Sequence, residues 1–393
     1  MKKLEVNAEG IKDLVKYTVK QNIGLATNGF MPTAISVMGE AGIGKTHVIK
    51  EAIQEVGVKS FIPLMLSQLD ELGDLIGFPQ KEYLVQKDNK GKWVEEKVLD
   101  SFISQGYSPM NKTRMGYSKP SWLPDTKEPV VLFLDDWTRC SPKFVQAAME
   151  IIYQQEYVSW KLPSGSTVIL SENPADGEYN VTDIDIATRS RMGTIQMKFD
   201  IENWASWATR AGIDQRCISF ALLNNDTFRD HKDINARNMT TFFLAVSGVK
   251  DFDKELSFVN TLATTYVSEA FSQMFTLFIN NKLDKLIKPK EIFDVNVSFA
   301  EIEGKIKELI HQDKGVRTDI AYTITQSIIN HATHSIQEDD YKDKKLIKRF
   351  EDLCTTEVLG QDLRYVFIKR VVPKNPKLNS LFAIDAVVDT IVD

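Results

Sequence analysis

The eight residues Gly39-Glu40-Ala41-Gly42-Ile43-Gly44-Lys45-Thr46 have the types and spacing to hold a phosphate. They read G-x-x-x-x-G-K-T. Gly39, Gly42 and Gly44 allow the backbone to wrap close to an anion with its N–H groups turned inward. Lys45 is spaced to reach β- and γ-phosphates, and the Thr46 hydroxyl to take one position on Mg²⁺. A helix starting around Lys45 to His47 adds its positive end to the same place. The expected ligands are therefore ATP and Mg²⁺. The competing reading is a Gly-rich turn that matches by accident. The flanks argue against it, because residues 33–38 read as a buried strand and residues 47–56 have helical spacing.

Further acids, amides and cations follow at intervals. Asp135 and Asp136 close the apolar run Val130-Val131-Leu132-Phe133-Leu134. Asp135 is positioned to hold Mg²⁺, directly or through water, and Asp136 to orient or activate an attacking water. The alternative is an acidic strand end facing solvent. Asn173 ends the next long strand, where its amide could position that water; otherwise it is a turn residue before Pro174. Arg189 and Arg191 lie far along the chain from the loop. Either could project across a subunit boundary to stabilise charge on a neighbour's γ-phosphate, or could form an ordinary surface salt bridge. Arg237 opens a later helix, where it could report nucleotide state or simply be solvated.

The elements that must position these groups alternate up to residue 200. Residues 8–22 predict a helix, with an apolar face of Ile11, Leu14, Val15, Tyr17 and Val19, and residues 24–32 a loop. Residues 59–65 predict a second strand. Residues 80–124 lose periodicity and read as a polar insert carrying a hairpin or short helix, long enough to suggest function. The unalternating apolar run 130–134 predicts a strand buried on both faces of a parallel sheet. A helix at 142–154, strands at 157–162 and 167–170, a short helix carrying Arg189 and Arg191, and a strand at 194–199 complete a three-layer α/β domain. Beyond it, residues 204–211, 216–224, 236–247, 254–279, 299–311, 318–336 and 343–353 have helical spacing, and residues 378–392 have helical length but many β-branched positions.

Composition bounds the remaining possibilities. The 393 residues suit two or three domains, and 43% hydrophobic with 26% charged content is that of an ordinary globular protein. No apolar run is long enough to span a membrane, and Met1-Lys2-Lys3-Leu4-Glu5 has no secretory character, so the expectation is a cytoplasmic protein without membrane association. Cys140, Cys217 and Cys354 form no CxxC pair, which points away from zinc or a disulfide framework. A net charge of −6 argues against a general nucleic-acid coat.

Taken together, the motifs resemble those of AAA+ ATPases, specifically the MoxR-like group of the helix-2-insert clade, of the dynein-related AAA type. The resemblance covers roughly residues 25–245. Gly39 to Thr46 is similar to Walker A and Leu132-Phe133-Leu134-Asp135-Asp136 to Walker B. Leu75-Ile76-Gly77 resembles the segment before the family's insert, and Arg114-Met115-Gly116-Tyr117 through Trp122-Leu123-Pro124 falls where that insert ends. Asn173-Pro174 resembles sensor 1. Ser190-Arg191-Met192 stands at the arginine-finger segment, with Arg191 favoured and Arg189 the alternate, and Ala236-Arg237 resembles sensor 2. Two departures stand out. The family's usual Asp-Glu is Asp135-Asp136 here, one methylene shorter, and the finger segment lacks the usual Phe.

The resemblance implies a P-loop NTPase core over residues 1–200 and an α-helical lid and extension over 201–393. It implies a homo-oligomeric ring, a hexamer in the family, that hydrolyses Mg-ATP to remodel a protein client, often one with a von Willebrand factor A domain. Lys45, Thr46, Asp135, Asp136 and Asn173 would act in cis, and Arg191 in trans. Two alternatives stand beside it. One is a nucleic-acid-associated motor, helicase-like or a restriction-type translocase subunit, using Lys87, Lys90, Lys92 and Lys112 of the insert. The other is a nucleotide-gated scaffold with little hydrolysis, favoured by Asp136.

Overall fold

A computed structural model describes all residues except 1–3, 159, 176–178, 226–227, 229–232, 313–314 and 393. The chain forms two compact units, residues 1–199 and 200–393.

The first unit is built on a six-stranded parallel sheet. Its strands are β1 (Glu5–Val6), β2 (Ala34–Met38), β3 (Ser60–Leu64), β7 (Val130–Leu134), β10 (Thr167–Glu172) and β11 (Met192–Met197), in the order β1-β11-β2-β10-β7-β3. The apolar run of β7 explains why the sheet is sandwiched. Val130, Leu132 and Leu134 enter one core while Val131 and Phe133 enter the other. Parallel strands buried on both faces need apolar residues at every position. One face is covered by α1 (Ala8–Thr27) and α2 (Lys45–Val56), through Ile11, Val15, Val48 and Ile49. The other is covered by α3 (Leu72–Ile76) and α5 (Pro142–Gln154), through Leu75, Phe144, Ala148 and Ile151.

Several local expectations are corrected. Gly24 does not open a loop: α1 runs through it to Thr27, because nothing in that exposed stretch breaks the hydrogen-bond ladder before Asn28 caps it. Residues 157–162 are not one strand. Gln155 takes a left-handed conformation (φ 54°) after α5, and the short pairs β8 (Glu156–Tyr157) and β9 (Trp160–Lys161) fold back on each other; Ser159 lies outside the described residues. The strand expected at 194–199 starts earlier, at Met192, and ends at Met197.

The insert folds as a separate antiparallel sheet. Strands β4 (Pro79–Lys87), β5 (Lys90–Glu95) and β6 (Ser108–Tyr117) pair in the order β5-β4-β6, with α4 (Glu96–Ser104) between the last two in sequence. Asp88 and Asn89 both have positive φ (51° and 60°), the backbone of a tight two-residue hairpin turn. Only Val85 and Val94 of the insert's larger apolar residues are buried.

Among the described residues, the regular structure of the second unit is helical apart from one short strand pair. Its core is dense in aromatic rings: Phe220 meets Phe271, Phe275 and Phe278 edge-on at centroid distances of 5.3, 4.8 and 5.4 Å. The stretch 254–279 is two helices, Leu256–Tyr266 and Glu269–Asn280. Ser268 separates them by leaving helical geometry and accepting the Phe271 N–H, an N-cap in mid-run. Helix Gln361–Val371 has no counterpart in the sequence reading, and residues 378–392 divide between a 3₁₀ stretch, Pro376–Ala383, and the helix Asp385–Val392. Among the described residues no helix is long and apolar enough to cross a membrane.

Candidate phosphate-binding site

The site forms where three neighbouring parallel strands end. In the sheet, β2 lies beside β10 and β10 beside β7, so the segments following Met38, Leu134 and Glu172 emerge side by side. In open α/β sheets, ligands bind outside these carboxyl ends.

The loop after β2 is tightly built. The Gly39 N–H donates to the Glu172 carbonyl at 3.1 Å. A Cβ on Gly39 would lie 2.8 Å from the Ile43 side chain and 2.9 Å from the Met197 carbonyl, so no larger residue fits. Gly42 and Gly44 have φ of 80° and 96°, which an L side chain adopts only under strain. Glu40 is exposed, Ala41 partly buried, and Ile43 anchors the loop in the core under α2. The Ala41 N–H donates to the Tyr179 hydroxyl at 3.3 Å. His47 is exposed in the first turn of α2.

Lys45 is only 9% exposed, and its ammonium donates to the carbonyls of Gly39 (2.6 Å) and Glu40 (2.8 Å) and to Asn173 Oδ1 (2.9 Å). Beside it, Thr46 Oγ1 donates to the Asp135 carboxylate, 2.9 Å from Oδ1 and 3.0 Å from Oδ2. The Ser171 hydroxyl donates to the same Asp135 Oδ1 at 2.5 Å. Asp136 has φ of 52°, and this left-handed turn directs its N–H to Ser171 Oγ (2.9 Å) and lets Oδ1 accept from Asn173 Nδ2 (2.9 Å). Arg139 approaches its other oxygen at 3.4 Å. Burial pushes the Asp136 carboxyl above its ordinary value, against the lowering effect of Arg139 and Lys45.

The structure thus brings Lys45, Thr46, Asp135, Asp136 and Asn173 into one hydrogen-bonded cluster. The two candidate arginines separate. Arg189, at the end of α6 (Ile186–Arg189), pairs with the buried Glu172 at 2.5 Å. Arg191 lies beyond α6 rather than on it, just before β11; its guanidinium donates to the Ala187 carbonyl at 2.5 Å and lies 5.6 Å from the centre of the Tyr153 ring. Arg237 belongs to the second unit, exposed in the first turn of the helix Ala236–Ala245.

Sequence reasoning missed Ser171, Glu172 and Ser36. The available signal was the run of β10: two polar residues, Ser171 and Glu172, continue a fully buried strand into Asn173. A buried polar residue needs a partner. Ser171 supplies hydroxyl contacts to both aspartates, and Ser36 of β2 donates to Glu172 Oε1 at 2.9 Å.

The donor set suits a phosphate and a hard cation. A wrapped loop that excludes a Cβ at Gly39, a buried ammonium at its centre, and hydroxyl and carboxylate oxygens side by side at Thr46 and Asp135 are what each requires. Among the described residues no group of three or more His, Cys, Asp or Glu could hold a metal. Mg²⁺ commonly needs only one or two carboxylates, its other ligands being phosphates and water. Neither a scan against protein-family models nor a comparison with curated proteins gives a match.

Proposed function

We propose that the first unit is a P-loop NTPase core that binds and hydrolyses Mg-ATP, and that the chain works as a MoxR-like AAA+ ATPase, assembling into a ring, a hexamer by resemblance, that remodels a protein client. A client bearing a von Willebrand factor A domain is the class the resemblance suggests. The observation that carries this reading is the convergence of Lys45, Thr46, Asp135 and Asn173 at three adjacent strand ends.

The residues divide the work. The loop N–H groups and the Lys45 ammonium hold the β- and γ-phosphates, Lys45 exchanging its contacts to the Gly39 and Glu40 carbonyls for phosphate oxygens. Thr46 and Asp135 would hold Mg²⁺, which would supply positive charge to offset that of the phosphates. Ser171 keeps the Asp135 carboxylate turned toward Thr46. Asp136 and Asn173 orient the attacking water, with Asp136 accepting its proton. Arg191, without an acid at ion-pair distance among the described residues, is the cation offered to a neighbouring subunit's site.

Turnover per subunit should rise with protein concentration to a plateau, and Arg191→Ala should lower the plateau on the order of 10³-fold. Full activity in Arg191→Ala would remove the trans role.

One observation favours the scaffold reading as second. The Asp136 carboxylate is engaged by Asn173 and approached by Arg139, so little of it is free to take a proton. Under that reading ATP binds tightly and turnover stays near background in wild type and Lys45→Ala alike. The nucleic-acid reading gains less. Lys87 donates to the Gln105 carbonyl beside the Tyr107 ring, and Lys92 lies over Phe102, so both serve the insert's own packing.

A further inference from the structure

We infer that Arg189 is a positioning residue for its own chain's phosphate site: it holds the buried Glu172, and through it Asn173, and is not the arginine offered across a subunit boundary. This rests on the ATP-binding reading of the same site.

Glu172 is the last residue of β10 and is 0% exposed. Its Oε1 accepts from Arg189 Nη1 at 2.5 Å and from Ser36 Oγ at 2.9 Å, while Oε2 is buried with no hydrogen-bond partner among the described residues. Arg189 is its one ion-pair partner among the described residues. A carboxylate in that position tolerates burial only with its counter-ion, and removing one member of a buried pair is far more damaging than losing an exposed pair. The Glu172 backbone carbonyl meanwhile receives the Gly39 N–H, fixing the start of the phosphate loop. The next residue, Asn173, bridges Lys45 and Asp136. Glu172 therefore links β2 through Ser36, the loop through Gly39, and α6 through Arg189, with Asn173 one peptide away. An arginine used this way cannot leave to reach another subunit without stranding the buried acid. Arg191 carries no such obligation: among the described residues it meets a carbonyl, a ring face and, beyond ion-pair distance, the charge of Asp185, and it braces no buried acid.

A double-mutant cycle on the full chain separates the two roles. The variants are Arg189→Met, Glu172→Gln and the pair together, with Arg189→Lys as the conservative control. The readouts are the thermal midpoint, ATP and ADP affinity with Mg²⁺, and turnover. In Arg189→Met, the preference for ATP over ADP and the turnover should both fall by about tenfold or more, because Asn173 loses its footing. Removing the acid as well should restore both to within about threefold of wild type, and Arg189→Lys should fall between. If Arg189→Met instead binds both nucleotides as wild type does, and the double variant stays as inactive as the single, Arg189 acts on the transition state and the proposal fails. Should Arg189→Met not fold, rescue of folding and turnover in the double variant supports the proposal, and absence of rescue overturns it. If wild type binds no nucleotide, it is the ATP reading that fails. The midpoint cycle then decides alone: strong coupling between the two substitutions retains the pair as a cis brace, and additive effects eliminate it.

Discussion

The two units bury polar groups for different ends. In the first, Lys45, Asp135, Glu172 and Asn173 are all nearly inaccessible, gathered at the ends of three strands and satisfied by loop carbonyls, neighbouring hydroxyls, Arg189 and the Lys45–Asn173 contact. In the second, part of the interior is a cluster of phenylalanine rings around Phe220. Its buried charge among the described residues, Arg349, donates to the carbonyls of Ile292, Asp294 and Val297 of one chain segment, and burial lowers its pKa. Burying charge is costly, and packed rings stabilise better for the same volume. The cluster at the strand ends is therefore retained at some expense of stability, as expected where chemistry needs it, while the phenylalanine cluster of the second unit serves cohesion.

The contrast can be broken first in the ring core. Phe220→Ala removes the ring that several others meet edge-on and should cost about 3–5 kcal/mol of the second unit's stability, read by denaturant unfolding. A loss under about 1 kcal/mol would mean that the core re-packs freely.

At the strand ends the same kind of truncation should act on function as well as on folding. Ser171→Ala removes the hydroxyl shared by Asp135 and the Asp136 N–H, and should cost about 1–3 kcal/mol in stability. The freed Asp135 should also weaken Mg²⁺-dependent ATP binding, by about tenfold in a titration of affinity against Mg²⁺. Unchanged Mg²⁺ dependence would show that Ser171 only supports the fold.

A further expected effect is a pH dependence of the second unit. His331 stacks on Phe293 at 5.4 Å, and burial, helped by Lys290, lowers its pKa from 6.5 to about 4. Between those values the unfolded chain binds a proton that the folded chain excludes. Stability contributed by the neutral ring is therefore present above 6.5 and lost as pH falls toward 4. His331→Phe should flatten that slope in unfolding measured across the window, and an unaltered slope would assign it to other groups.

Much of the first unit was legible because its signals are local. Gly39, Gly42 and Gly44 mark backbone that only glycine adopts or fits, and the apolar run of β7 could only be a doubly buried strand. The insert's hairpin turn at Asp88-Asn89 was within reach for the same reason. What stayed hidden depends on contacts between distant residues. Nothing in the spacing says that Arg189 meets Glu172 seventeen positions earlier, or that Ser36 joins them across the sheet. Those contacts separate Arg189 from Arg191, which the sequence left as alternatives. In the second unit, Ser268 ended a helix that the apolar pattern carried straight through, because a cap is a backbone event that periodicity does not register. Asn173 was read from its place at a strand end as positioning the attacking water, but its bridging of Lys45 and Asp136 emerges only from strand order.

The central claim is that the loop between β2 and α2 holds the phosphates of Mg-ATP. Its most direct test is equilibrium binding of ATP with Mg²⁺ to the full chain, wild type against Lys45→Ala, alongside thermal unfolding of both. Saturable binding by wild type, at least about 100-fold weaker in a Lys45→Ala protein that still folds, is the predicted result. Equal affinity in the two proteins, or no binding to a folded wild type, would contradict the account.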